Sequence, residues 1–206
     1  MREPAKPIDT EVLRRILCAI GEPPSHTYQP SDDSFLMLEA ISDFPFEGKE
    51  TLDVGTGSGI LGLYAATCGA VVTVSDIDDT AVGRVEKVAQ SLGVTIRTVV
   101  SDIFSKIRGQ FDVIMFNPPY LPSTAIEDAT IDGGRKGRVL TEKFLRFLPR
   151  HLKKDGTVFL LLSSLNDPAS LIRYHPEFSF IVAKRRTFFF EELQVLQLTF
   201  RNSMSQ

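Results

Sequence analysis

A chain of 206 residues that is 43% hydrophobic and 24% charged can bury a sizeable core, which excludes a wholly disordered or fibrous polypeptide. Its 23 Lys and Arg against 26 Asp and Glu give a net charge of −3, so it is not built around non-specific grip on phosphate backbones. Cys18 and Cys68 form no CxxC pair and His26, His151 and His175 are scattered, which argues against a zinc site or a disulfide framework and for an intracellular, cytoplasmic protein with no metal of its own.

Residues Met1 to Pro7 are polar and carry no secretory signal. Residues 1–30 read as an N-terminal extension punctuated by Pro4, Pro7, Pro23, Pro24 and Pro30. Within it Ile8, Val12, Leu13, Ile16 and Leu17 fall at helical spacing, which predicts a short helix over 10–20 capped by Asp9 or Thr10. Ser31 to Ser34 opens a second helix with acids in its first turn, where the helix dipole favours them. Residues 31–206 form the main domain. Apolar, β-rich runs follow at 51–54, 71–75, 94–100, 111–116, 156–162, 178–183 and 194–200, with helical patterns at 59–68, 78–92 and 134–150. Strands alternating with helices predict an α/β fold: a Rossmann-like, seven-stranded, mostly parallel sheet with helices on both faces. The last two runs have no helix between them and predict a C-terminal antiparallel hairpin. No run, Val158 to Leu162 included, is long enough to span a bilayer.

Chemistry concentrates at the carboxyl ends of these strands. Asp53-Val54-Gly55-Thr56-Gly57-Ser58-Gly59 ends a strand and opens a helix, so its glycines let backbone approach a ligand closely. The same pattern also serves a plain packed turn. Asp76 ends the next strand, where a carboxylate can accept both hydroxyls of a ribose, and Asp102 ends the third, where it can accept from an adenine amino group. A dinucleotide site keeps its helix N-terminus bare of acid. Asp53 would repel a pyrophosphate but suits the ammonium of a methionyl group, which favours S-adenosylmethionine over NAD.

The strand Phe111 to Phe116 runs straight into Asn117-Pro118-Pro119-Tyr120. Two prolines stiffen the backbone and remove two N–H donors. The Asn117 side-chain oxygen and the Pro118 carbonyl can together accept both hydrogens of a planar NH2, and Tyr120 can lie flat on its π-system. An amide or aromatic amino nitrogen is a poor nucleophile because its lone pair is delocalised. Two acceptors hold it and stabilise the charge that develops as a methyl group arrives, so catalysis comes from positioning and electrostatics. A protein glutamine and the exocyclic amine of adenine or guanine both fit this description.

Together these motifs resemble class I S-adenosylmethionine-dependent methyltransferases acting on planar nitrogen. More narrowly the chain is similar to the HemK family of protein glutamine methyltransferases, in the archaeal and eukaryotic branch that modifies class I translation release factors. Tyr28-Gln-Pro-Ser-Asp-Asp-Ser-Phe and Asp132-Gly133-Gly134-Arg135-Lys136-Gly137-Arg138 resemble two further segments of that branch. The resemblance covers about residues 27–200. It implies cofactor contacts at Ser34, Asp53, Gly55, Gly57, Asp76, Asp102, the backbone near Ile103, and Asn117, and substrate contacts at Asn117, Pro118, Pro119, Tyr120 and Leu121. Ser34 stands where the family usually has Thr, and Asp53 where Glu is also used. The resemblance also implies a small zinc-binding activator subunit that adds to the edge strand at 94–100, a segment without the lysines or prolines that protect free edges. The substrate it implies is the glutamine amide of a Gly-Gly-Gln loop in a release factor. A nucleic-acid amine is the alternative.

Other residues read more blandly. Lys184-Arg185-Arg186 looks like a solvated turn, Phe188 to Phe190 like core or edge packing with an exposed docking patch as the alternative, Asp112 like a turn residue, and His151 like a cation at a helix C-terminus.

Overall fold

Continuous apolar runs, as at 113–116 and 158–162, mark strands covered on both faces. In the computed structural model, which describes residues 8–21, 29–120 and 138–201, the runs become β1 (Glu50–Val54), β2 (Val71–Asp76), β3 (Ile96–Val100), β4 (Phe111–Phe116), β5 (Leu152–Ser163), β6 (Phe178–Thr187) and β7 (Glu192–Phe200). They form one sheet among the described residues, in the order β3-β2-β1-β4-β5-β7-β6. β1 to β5 are parallel, and β7 runs antiparallel to both β5 and β6. The C-terminal hairpin folds back so that its second strand, not its first, meets β5.

Helices lie on both faces: α1 (Thr10–Ile20), α2 (Asp32–Ile41), α3 (Ile60–Thr67) and α4 (Asp79–Leu92) on one, α5 (Val139–Phe147) and α6 (Pro168–Tyr174) on the other. Period-2 alternation divides the sheet between them. Val113, Met115, Phe159 and Leu161 meet the first set, while Ile114, Phe116, Val158, Leu160 and Leu162 meet the second. Each such side chain, fully buried, contributes roughly 1.5–3 kcal/mol relative to exposure. The predicted 10–20 helix is capped by Asp9, whose side chain accepts from the Glu11 and Val12 N–H groups. Its Ile16 and Ile20 join the core on α3 and α4, and Arg84 of α4 donates to the Ile20 carbonyl at 2.5 Å.

Several elements differ from expectation. α5 ends at Phe147, and a 3₁₀ turn holding Pro149 continues to Arg150, because proline has no N–H to extend an α-helix. Positions 134–137 of that predicted helix lie outside the described residues. β5 begins at Leu152, four residues before the predicted 156, with a register shift opposite Phe111 and Val113. α6 was not anticipated; seven residues are too few for a clear periodic signal, although Asp167 caps it and Pro168 opens it. Lys184, Arg185 and Arg186 are strand residues of β6, not a turn, and the reversal falls at Phe188–Glu191.

The order places β2 and β3 on one side of β1 and β4 on the other, so the chain switches direction across the sheet between β1 and β4. Open α/β sheets bind ligands in the crevice outside the carboxyl ends of their strands at such a point. Val54 pairs with Phe116 in the register, so the glycine turn and Asn117 leave the sheet at one level, side by side.

Candidate active site

The glycine turn is wrapped around one carboxylate. Asp53 is 1% exposed, and its Oδ2 accepts from the Thr56 hydroxyl at 2.6 Å and the Gly62 N–H at 3.0 Å. Burial pushes its pKa up to about 7, although both hydrogen bonds act in the opposite sense. Both contacts fall on Oδ2 and shape the turn from within. Gly55 and Gly57 lie at φ +61° and +51°, the left-handed region where a side chain is strained. Gly62, not singled out from the sequence, leaves no room for a Cβ, which would come within 2.6 Å of Val74 Cγ1 and 3.1 Å of Asp53 Oδ2.

Asp76 reaches over the turn from the end of β2. Its Oδ2 accepts from the Gly57 N–H at 2.9 Å and its Oδ1 from the Asp78 N–H at 3.1 Å. Each oxygen keeps a second lone pair for a ligand hydroxyl. Asp102 lies two residues beyond β3, and its carboxylate takes the Lys143 ammonium at 2.5 Å. Lys143 comes from α5, which the sequence reading did not connect to this rim. Ile103 sits at φ +50°, a strained conformation for a β-branched residue that costs on the order of 1–3 kcal/mol. Its carbonyl accepts from the buried Ser101 hydroxyl at 3.0 Å, which holds the bend.

Asn117 stands where β4 ends, with Pro118 buried behind it. Its Nδ2 donates to Asp33 Oδ2 at 3.1 Å. Its Oδ1 is buried and has no hydrogen-bond partner among the described residues. A buried acceptor left unpaired is costly, so this oxygen calls for a donor. Asp33, 2% exposed, and Ser34, 3% exposed, occupy the first turn of α2. Ser34 donates its N–H to Asp33 Oδ1 at 2.6 Å, and Ser31 donates its hydroxyl there at 2.8 Å. The acids read from the sequence as dipole partners thus include one turned inward onto Asn117. Arg186 of β6 ties this helix to the sheet by pairing with Glu39 at 2.5 Å and Asp32 at 3.7 Å.

Tyr120 is half-buried, and its carbonyl accepts from Asn166 Nδ2 at 2.8 Å. Burial, then the negative charges of Asp33, Glu191 and Asp32, push its hydroxyl pKa well above the usual phenol value, so it stays a neutral aromatic surface. Leu121 and the Gly133–Gly134 segment, like Tyr28, lie outside the described residues. Phe188 packs against the core, but Phe189 and Phe190 at the hairpin tip are 96% and 82% exposed, contrary to the packing role expected of them. Asp112 is not a turn residue either: from inside β4 it accepts from the Glu50 N–H and the Lys153 ammonium, both at 2.9 Å, joining β1, β4 and β5 below the site. His151 stacks on Phe104 at 4.5 Å, and burial lowers its pKa, so it is not the cation expected there.

A glycine cradle, acids on successive strand ends and an open acceptor beside two prolines fit a cationic nucleoside better than a polyphosphate. This is a class I methyltransferase with S-adenosylmethionine as its cofactor. The chain belongs to the methyltransferase small domain family, whose model matches residues 31–189. It is 36% identical over 178 residues to a Methanocaldococcus jannaschii protein that carries the name protein N5-glutamine methyltransferase MJ0928, covering 82% of this chain and 89% of that one. It is 28% identical to human methyltransferase HEMK2 over 72% of this chain and 77% of the other. Among solved structures it is similar to the E. cuniculi Mtq2–Trm112 complex, responsible for methylation of the eRF1 translation termination factor. That match has a TM-score of 0.70 and 22% identity, covering 85% of this chain and 99% of that chain.

Proposed function

We propose that this enzyme methylates the side-chain amide nitrogen of a glutamine, in the Gly-Gly-Gln loop of a class I translation release factor, in the cytoplasm. The observation that carries the reading is the buried, unpartnered Asn117 Oδ1 at the end of β4. It has the polarity and the place to accept one hydrogen of the substrate NH2, with the Pro118 carbonyl taking the other. The names of the Methanocaldococcus and human relatives support glutamine as the target, and the eRF1 substrate of Mtq2 supports a release factor.

When bound, the cofactor would supply an electrophilic methyl carbon; as the amide nitrogen takes the methyl, the sulfonium sulfur would leave as a neutral thioether and one N–H proton would pass to solvent. The turn at Gly55 and Gly57 would hold it against backbone, Asp76 would accept from its ribose hydroxyls, and Asp102 with the Ile103 peptide would hold its adenine. Ser34, next to Asp33 in the first turn of α2, would add a further cofactor contact. Asn117 and Pro118 hold the amide nitrogen, Pro119 keeps that backbone stiff, and the neutral ring of Tyr120 covers the flat face of the amide. Leu121 extends the substrate contact.

A small zinc-binding activator subunit is part of the proposal. β3 ends the sheet, pairing only with β2 among the described residues, and Val100 on it is 36% exposed. An added strand would satisfy its open backbone groups. The test combines the enzyme, with and without that subunit, a tritiated methyl donor, recombinant release factor and total RNA and DNA. Label on the release-factor glutamine, located by mass spectrometry and reduced by about 10²-fold or more in Asn117→Ala with cofactor affinity retained, is the expected result. Label on nucleic acid alone refutes it.

A further inference from the structure

The amide of Asn117 can act only one way round. Rotated by half a turn about its last side-chain bond, it would present its own NH2 to the substrate NH2, donor against donor. The two orientations have nearly the same shape, so packing alone cannot choose between them. Something must read the difference between oxygen and nitrogen.

We infer that Asp33 is the positioning residue that makes this choice, an inference that rests on the proposed transfer to an amide. A carboxylate offers acceptors only, so the end of the Asn117 amide that faces it must be the nitrogen. Asp33 Oδ2 meets Asn117 Nδ2 at 3.1 Å, which leaves Asn117 Oδ1 turned away and unpartnered. Asp33 itself cannot swing aside. Ser34 N–H and the Ser31 hydroxyl both donate to its other oxygen, it is 2% exposed, and Arg186 fastens its helix to β6 through Glu39 and Asp32. A charged acceptor held so rigidly also costs no reorganisation when the substrate arrives. Asp33 touches neither reacting atom; it acts through Asn117.

The test uses four variants of the full chain, assayed with recombinant release factor and tritiated methyl donor. In Asp33→Asn the new amide can donate as well as accept, so Asn117 loses its bias. The expected result is a fall in kcat of about tenfold or more, with KM, cofactor affinity and melting temperature little changed. In Asn117→Asp two carboxylates face each other and must share a proton, which should add a titration to the pH profile of kcat beyond any that the parent enzyme shows. The double variant Asp33→Asn with Asn117→Asp restores a donor facing an acceptor, so its kcat should exceed that of Asn117→Asp at neutral pH by about tenfold. An unchanged kcat in Asp33→Asn, or a double variant no better than the product of the two single effects, overturns the inference. If Asp33→Asn does not fold, the pH profile of Asn117→Asp decides, and the absence of a new titration overturns it. Full activity in Asn117→Ala would instead sink the amide-transfer reading and leave no doubt which of the two had failed.

Discussion

Asp53 makes the stability of this protein depend on pH in an unusual direction. Most carboxylates are held below their ordinary pKa by folding and stabilise the native state as pH rises. Burial takes Asp53 from 3.8 to about 7, so the native state binds its proton more tightly than the unfolded chain does. Below pH 4 both states are protonated and the group costs nothing. Between pH 4 and 7 the unfolded chain ionises while the native state does not, and stability falls. Above pH 7 both are ionised and the loss is complete. At about 1.4 kcal/mol for each tenfold in proton affinity, the difference amounts to about 4 kcal/mol. Asp53→Asn removes this dependence. The Asn carbonyl can replace Oδ2 and accept from both Thr56 and Gly62, and any cost of burying the new NH2 is independent of pH. Urea denaturation of both proteins from pH 4 to 7.5 checks the reasoning, because other titrating groups cancel in the difference. The stability of Asp53→Asn relative to the parent should rise across that range by up to about 4 kcal/mol. A difference that stays flat to within about 1 kcal/mol, or that slopes the other way, refutes the assignment of a buried, destabilised carboxylate.

Three further outcomes follow from the geometry. Gly62→Ala should destabilise by about 1–3 kcal/mol despite the better helix propensity of alanine, because its Cβ would meet the stiff, β-branched Val74 and the Asp53 oxygen; a rise in melting temperature would contradict the packing. Asp76→Ala should weaken cofactor binding by about 10–100-fold in calorimetry through the loss of charge-assisted hydrogen bonds, one of which also fixes Gly57; an unchanged affinity would remove Asp76 from the site. Phe189→Ser with Phe190→Ser should leave stability within about 0.5 kcal/mol, whereas Phe188→Ser, which strips a side chain from the core, should cost about 1–3 kcal/mol in thermal unfolding.

The amino-acid sequence by itself determined the alternation of strands and helices, the glycine turn after β1, the acids on the next two strand ends and the Asn-Pro-Pro-Tyr corner. All of these are local: a hydrophobic period, or a backbone demand that only glycine or proline meets. Only the tertiary structure decided which distant groups come together. Asp33 and Asn117 are 84 residues apart and meet because α2 packs on the face of the sheet where β4 ends. Lys143 reaches Asp102 from another helix, Asp53 turns inward, and β7 inserts between β5 and β6. Such pairings depend on strand order and register, which are set by the fit of the whole core and leave no periodic trace along the chain.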